Sequence, residues 1–211
     1  DAVAMLKKWD AWESVPASVR EHLTRADPRY ETVKAEEFER TSYRIFGVMP
    51  THLGMLPTAR RVAAELGFTP HVLSTNMSAE ASQVGTVLAN IALHIEQAHE
   101  PFQPPCALIS GGEMLVTVGE EKGIGGRNQE FALAAALRIA GSEKITIGSV
   151  DSDGTDGPGT QFVAGCDLPA LDGGIVDGQT VRRARELGID LREELRRHNS
   201  TAALCRLGDG V

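Results

Sequence analysis

Apolar positions along the chain switch between helical and strand-like spacing. Val3, Leu6 and Trp9 recur at helical intervals, and Pro16 within Val15-Pro16-Ala17-Ser18-Val19 marks the start of a second helix running toward Leu23. A polar stretch from Arg25 to Arg40 follows, then Tyr43-Arg44-Ile45-Phe46-Gly47-Val48 reads as a strand and Leu56 to Leu66 as a helix closed by Gly67. His71 to Ser74 is the next strand. Ala79 to His99 places Val84, Val87, Leu88, Ile91 and Ile95 on one helical face that ends before Pro101. The alternation continues with a strand at Cys106 to Ser110, a turn at Gly111-Gly112, an alternating strand at Met114 to Val118, and an alanine-rich helix at Glu130 to Ala140. Ile145 to Val150 is a further strand. After an Asp- and Gly-rich stretch, Gly173 to Gly178 reads as the end of a strand, followed by helices at Thr180 to Leu187, Leu191 to His198 and Thr201 to Leu207.

Strands alternating with helices at this spacing predict an α/β fold: a mixed, largely parallel sheet with helices on both faces, turned antiparallel at Gly111-Gly112. Residues 1–40 form a helical lead-in and residues 41–211 the α/β domain. Composition agrees, since 211 residues at 42% apolar content supply a sizeable core. A formal charge of −8 repels phosphate backbones, which argues against general nucleic-acid binding and requires any bound anion to be held locally. No apolar run approaches the roughly 20 residues needed to cross a bilayer, so a soluble protein without a membrane partner is expected. Cys106, Cys166 and Cys205 are odd in number and lack CxxC spacing, which argues against a disulfide framework or structural zinc and for a reducing cytoplasm. The chain lacks an initiator Met, opens inside an amphipathic stretch, and stops at Leu207-Gly208-Asp209-Gly210-Val211 as though approaching another strand; a fragment of a longer chain is expected.

Three stretches carry candidate chemistry. Gly123-Ile124-Gly125-Gly126-Arg127-Asn128 is a glycine loop that delivers Arg127 and Asn128 to the first turn of a helix, where free amides and a guanidinium suit a carboxylate or phosphate. The competing reading is an Arg paired with an acidic neighbour and an Asn cap. The string is neither GxGxxG nor a Walker A loop. Asp151-Ser152-Asp153-Gly154-Thr155-Asp156 follows a buried-type strand and crowds carboxylates at its carboxyl end, where they suit nucleotide-borne Mg²⁺ or a substrate hydroxyl, or else form an Asp/Gly turn. Ser110-Gly111-Gly112-Glu113 allows close backbone approach and can point Glu113 into the same cleft, although a hairpin explains it equally. Asn199 or Ser200 either caps a short helix or reaches the acidic cluster. His52, His71, His94 and His99 show no metal-ligand spacing and read as surface or core residues.

Taken in order, Ser110-Gly111-Gly112-Glu113, Gly125-Gly126-Arg127-Asn128-Gln129-Glu130-Phe131-Ala132-Leu133 and Asp153-Gly154-Thr155-Asp156-Gly157-Pro158 resemble the signature of the class II glycerate kinases, which end in a MOFRL domain and are sometimes labelled hydroxypyruvate reductases. The resemblance continues through Gly174 to Thr180 and His198-Asn199-Ser200-Thr201, covering the last half of the chain. It implies ATP- and Mg²⁺-dependent phosphorylation of D-glycerate to 2-phosphoglycerate in a cleft between two α/β domains. Residues 41–211 would then be the MOFRL-like domain, with the family's N-terminal domain and closing segment absent. Arg127 would neutralise the glycerate carboxylate or the phosphoryl group. Asp153 or Asp156 would hold Mg²⁺ or orient the 2-hydroxyl, while Glu113, Gly125, Gly126, Asn128 and Asn199 would bind substrate. Departures from the family pattern are Gly159-Thr160-Gln161-Phe162 and an added Cys166 to Leu171 stretch. Two alternatives stand beside this: NAD(P)H-dependent hydroxypyruvate reduction, weakened by the missing dinucleotide fingerprint, and a non-catalytic anion-binding half-domain.

Overall fold

The computed structural model describes residues 2–44, 46–47 and 53–211. It divides into two compact units, Asp1–Val48 and Met49–Val211. In the first, α1 (Ala2–Lys8) and α2 (Ala17–Arg25) follow the apolar spacing, with Pro16 at the N-cap of α2. Arg20 of α2 donates to the Glu13 carbonyl of the connecting segment at 2.9 Å. The polar stretch beyond forms a short 3₁₀ turn, Pro28–Tyr30, and a single-turn helix α3 (Ala35–Glu39) that the apolar pattern does not foretell. Glu36 and Glu37 favour α3 by sitting at the positive end of its dipole. None of the described residues of this unit is buried.

The strand expected at Tyr43 to Val48 is not found: Tyr43, Arg44, Phe46 and Gly47 lie outside regular structure, and Ile45 and Val48 fall outside the described residues, as does His52. A strand exists only through its partner, and among the described residues no neighbour pairs with this run.

The second unit begins with α4 (Met55–Glu65), β1 (Thr69–Met77), α5 (Ala81–Ala98) and β2 (Cys106–Gly112), with β2 parallel to β1. Next come α6 (Arg127–Ile139), β3 (Thr146–Val150) and β4 (Gly173–Asp177), the last two antiparallel, and then α7 (Thr180–Glu186), α8 (Leu191–Arg196) and α9 (Ser200–Leu207). The α/β class and mixed pairing match the expectation, but the described strands form two separate pairs. Gly111 and Gly112 do not turn the chain; they end β2. Met114 to Val118 follows as an extended segment rather than a strand, held by a parallel bridge between Leu115 and Glu80. Its alternation reflects burial of one side as far as Val116, since Met114 and Val116 pack on the Val84 and Phe131 cluster while Leu115 and Thr117 stay exposed; Val118, next on the buried side, is exposed. The terminal residues run along β4, where Gly210 bridges Gly174 and Ile175 donates to the Asp209 carbonyl at 2.9 Å.

Helix α6 is the hub. Its small side chains Ala132, Ala135 and Ala136 let α5, β3 and β4 approach closely, and Leu133 and Ile139 fill the remaining space. Ile139 is fully buried, so Ile139→Val should lower the unfolding free energy by about 1 kcal/mol, measured by urea unfolding. The cysteine expectation is corrected: Cys166 and Cys205 are joined in a disulfide, and Cys106 is free. Sequence spacing could not show this pairing because 39 residues separate the partners.

Candidate functional site

The first turn of α6 meets the end of β3 and the loop that follows it. Gly126 occupies the N-cap of α6 and has no side chain with which to cap the helix. The cap comes from Asp156, on the loop after β3: its carboxylate accepts the backbone N–H groups of Asn128 (3.3 Å) and Gln129 (3.0 Å) and the Asn128 side-chain amide (3.2 Å). A Cβ on Gly126 would lie 2.3 Å from that carboxylate, so the position is closed to any larger residue. A Cβ on Gly157, at φ +94°, would lie 2.1 Å from the Gly125 carbonyl oxygen. Asp156 is buried, and desolvation pushes its pKa above the ordinary carboxylate value while the amide donors oppose that shift.

With the helix start fixed, Arg127 spans two carboxylates. Nη2 meets Asp151 Oδ2 at 2.8 Å and Nη1 meets Glu113 Oε1 at 2.7 Å. The two acids differ in their surroundings, for the Asp151 side chain is 13% exposed and that of Glu113 70%. Asp151 is therefore the fixed partner and Glu113 the exchangeable one. Burial depresses the Arg127 pKa, but the charge and hydrogen bond of Asp151, helped by Glu113, outweigh it and raise the value. Asn128 faces the same corner, accepting from Ser149 Oγ and donating to Asp151 at 3.5 Å. Arg127, Asn128, Glu113 and Asp156 thus converge.

Asp153 does not join them by any direct bond; it is exposed and accepts the Thr155 N–H at 3.3 Å in a local turn. Asn199 accepts the Ile124 N–H at 3.4 Å and so steadies the glycine loop from the far side. Gly125 packs against Ser200, leaving no room for a side chain. Among the described residues no three His, Cys, Asp or Glu side chains are grouped to hold a metal ion.

Sequence reading gave no individual role to five participants, although it placed Asp151 in the acidic cluster. Asp151 anchors Arg127, and Ser149 orients Asn128. Gln129, fully buried, donates to the Asp156 carbonyl at 2.6 Å and accepts from Thr201 Oγ1 at 2.7 Å, tying α9 to the cap. His198 Nδ1 lies 2.7 Å from Glu130 Oε1 beside a cavity of about 580 Å³ that Glu80, Thr117 and Arg192 help to line. A polar residue inside an alanine-rich helix was the available signal for Gln129 and Glu130.

Burial pushes the pKa of Glu130 above the ordinary carboxylate value, and its contact with His198 opposes the shift. Because the folded value exceeds the unfolded one, the stability this carboxyl contributes is full at acid pH and is lost as pH rises through the folded pKa. Glu130→Gln should therefore gain on the parent as pH rises from about 4 to about 7 in urea unfolding. A stability difference constant across that range would contradict the assignment.

The MOFRL family model matches residues 106–211, which contain every group named above except Glu80. A glycerate 2-kinase of Pyrococcus horikoshii is 36% identical over 99% of this chain and 44% of its own length. A protein of Agrobacterium vitis, provisionally named a hydroxypyruvate reductase, is 37% identical over 74% of this chain and 38% of its own. The solved glycerate kinase of Thermotoga maritima superposes with a TM-score of 0.67 at 36% identity, covering 74% of this chain and 35% of that one. The chain spans less than half the length of these relatives. With its matched half containing the Arg127 corner and the loop that caps it, the chain belongs to the MOFRL family.

Proposed function

We propose that this chain supplies one side of the active-site cleft of a glycerate 2-kinase, which transfers the γ-phosphoryl group of ATP to the 2-hydroxyl of D-glycerate. The observation that carries the reading is the Arg127 guanidinium, fixed on one side by Asp151 and covered on the other only by the exposed Glu113. A substrate carboxylate or phosphoryl oxygen can replace Glu113 on Nη1 without disturbing Asp151. The names of the Pyrococcus and Thermotoga relatives support the same reaction class. Phosphoryl transfer depends chiefly on positioning and charge neutralisation, which is what a preorganised guanidinium at a helix start provides.

The remaining roles follow from surroundings. Asp156 has its oxygens engaged by three donors and is buried, so it does not fit a metal; it holds the helix start that aims Arg127 and Asn128. Asp153 is exposed and engages one oxygen in a single weak bond, so it fits Mg²⁺ arriving with ATP or the proton of the attacking hydroxyl. Mg²⁺, when bound, would neutralise charge on the nucleotide phosphates. Asn128 lines the corner, and Gly125, Gly126 and Asn199 shape the loop around the substrate. The rest of the cleft belongs, in this reading, to the portion of polypeptide that the longer relatives possess, and the setting is cytoplasmic. The intact protein, assayed by coupled ADP release, should turn over with D-glycerate and Mg²⁺ and stay silent without either. NADH oxidation on adding hydroxypyruvate, with no ADP release from glycerate, would replace this proposal by the reductase reading that the Agrobacterium relative's name suggests.

A further inference from the structure

We propose that the Cys166–Cys205 disulfide is a reducible tether on the site loop, a redox modification site whose reacting partner is a dithiol. The loop between β3 and β4 runs from 151 to 172, long for a connection inside a compact unit. Its two ends are fixed: the Asp151 backbone N–H donates to the Asp172 carbonyl at 2.6 Å and the Asp156 backbone N–H to the Leu171 carbonyl at 2.7 Å, with Leu171 in the core. Between them little holds the chain. Among the described residues, the hydrogen bonds made by residues 157–170 all stay within 155–168, and Thr160 is the one buried side chain of that stretch. Phe162 and Leu168 are 65% and 44% exposed. The covalent tie of this stretch to the rest of the unit is the bond from Cys166 to Cys205.

Cys205 lies in α9, whose first residues Ser200 and Thr201 hold the Gln129 side chain, and Gln129 in turn holds the Asp156 carbonyl. The tether therefore closes a ring: the loop, Asp156, the start of α6, α9, and back to the loop. Both cysteines are half-buried, within reach of a small reagent. A dithiol thiolate attacks one sulfur, forming a mixed disulfide and releasing one cysteine thiolate, and its second thiol then displaces the other cysteine. Two electrons and two protons pass to the protein, and the reagent leaves as its own disulfide. Freed of the tether, the loop samples more conformations and the Asp156 cap opens more often.

The test uses the intact protein before and after dithiothreitol, beside a Cys166→Ser/Cys205→Ser double variant. Peptide mapping after alkylation should find Cys166 and Cys205 blocked before reduction and labelled after it. Amide exchange at Asn128 and Gln129 should accelerate on reduction. The effect on turnover rests on the kinase reading: KM for D-glycerate should rise at least about fivefold, and the double variant should resemble the reduced form and ignore the reagent. Both cysteines labelled without reductant, or exchange indifferent to reduction, would overturn the tether. Responsive exchange with unchanged KM would overturn its control of the site. Responsive exchange in a protein inert toward glycerate would uphold the tether and sink the kinase reading alone.

Discussion

Arg127→Ala in the intact protein should lower kcat/KM for D-glycerate by about 100- to 1,000-fold, the range seen when one preorganised donor to a transition-state anion is removed. The variant should still fold, because the contact with Glu113 is largely solvated, with about 1 to 2 kcal/mol lost from leaving the 13%-exposed Asp151 carboxylate without its partner. Arg127→Lys should recover only part of the activity. An ammonium group can meet Asp151 or the substrate, whereas the guanidinium fork meets both at once. Steady-state kinetics and urea unfolding on the same preparations separate the two effects. Turnover within a factor of two of the parent enzyme would remove Arg127 from the reaction.

Asp156→Ala should have the largest effect on stability, about 3 kcal/mol by urea unfolding. The reason lies in what is left behind. Two backbone N–H groups at the start of α6 and the Asn128 amide lose their acceptor in a buried place, and water cannot replace the carboxylate without opening the packing around Gly126. Asp156→Asn keeps one acceptor oxygen and should cost less, about 1 kcal/mol. Both variants should also lower activity, since the cap aims Arg127. An alanine variant as stable as the parent would show that α6 is capped in another way.

How much of this was legible in the sequence depended on whether the deciding contact was local. The helices from Leu56 to Leu66, Ala79 to His99 and Glu130 to Ala140 are written in apolar spacing, and α4, α5 and α6 occupy those places within a few residues. The delivery of Arg127 and Asn128 to a helix start was legible too, from glycines followed by an alanine-rich run. Pairing across space was not. Nothing in Asp151-Ser152-Asp153-Gly154-Thr155-Asp156 tells the first Asp, which holds Arg127, from the last, which caps α6, or either from Asp153, which faces solvent. The alternation at Met114 to Val118 misled because one-sided burial and a paired strand produce the same period. Tyr43 to Val48 misled because β-propensity without a partner strand makes no ladder. The disulfide escaped because a fold, not a spacing, brings Cys166 to Cys205.

Calorimetric titration of D-glycerate into the intact protein and its Arg127→Ala variant tests most directly whether the Arg127 guanidinium is held open for a substrate anion. Saturable binding by the parent and none by the variant is the predicted result. Equal affinity in both would contradict it.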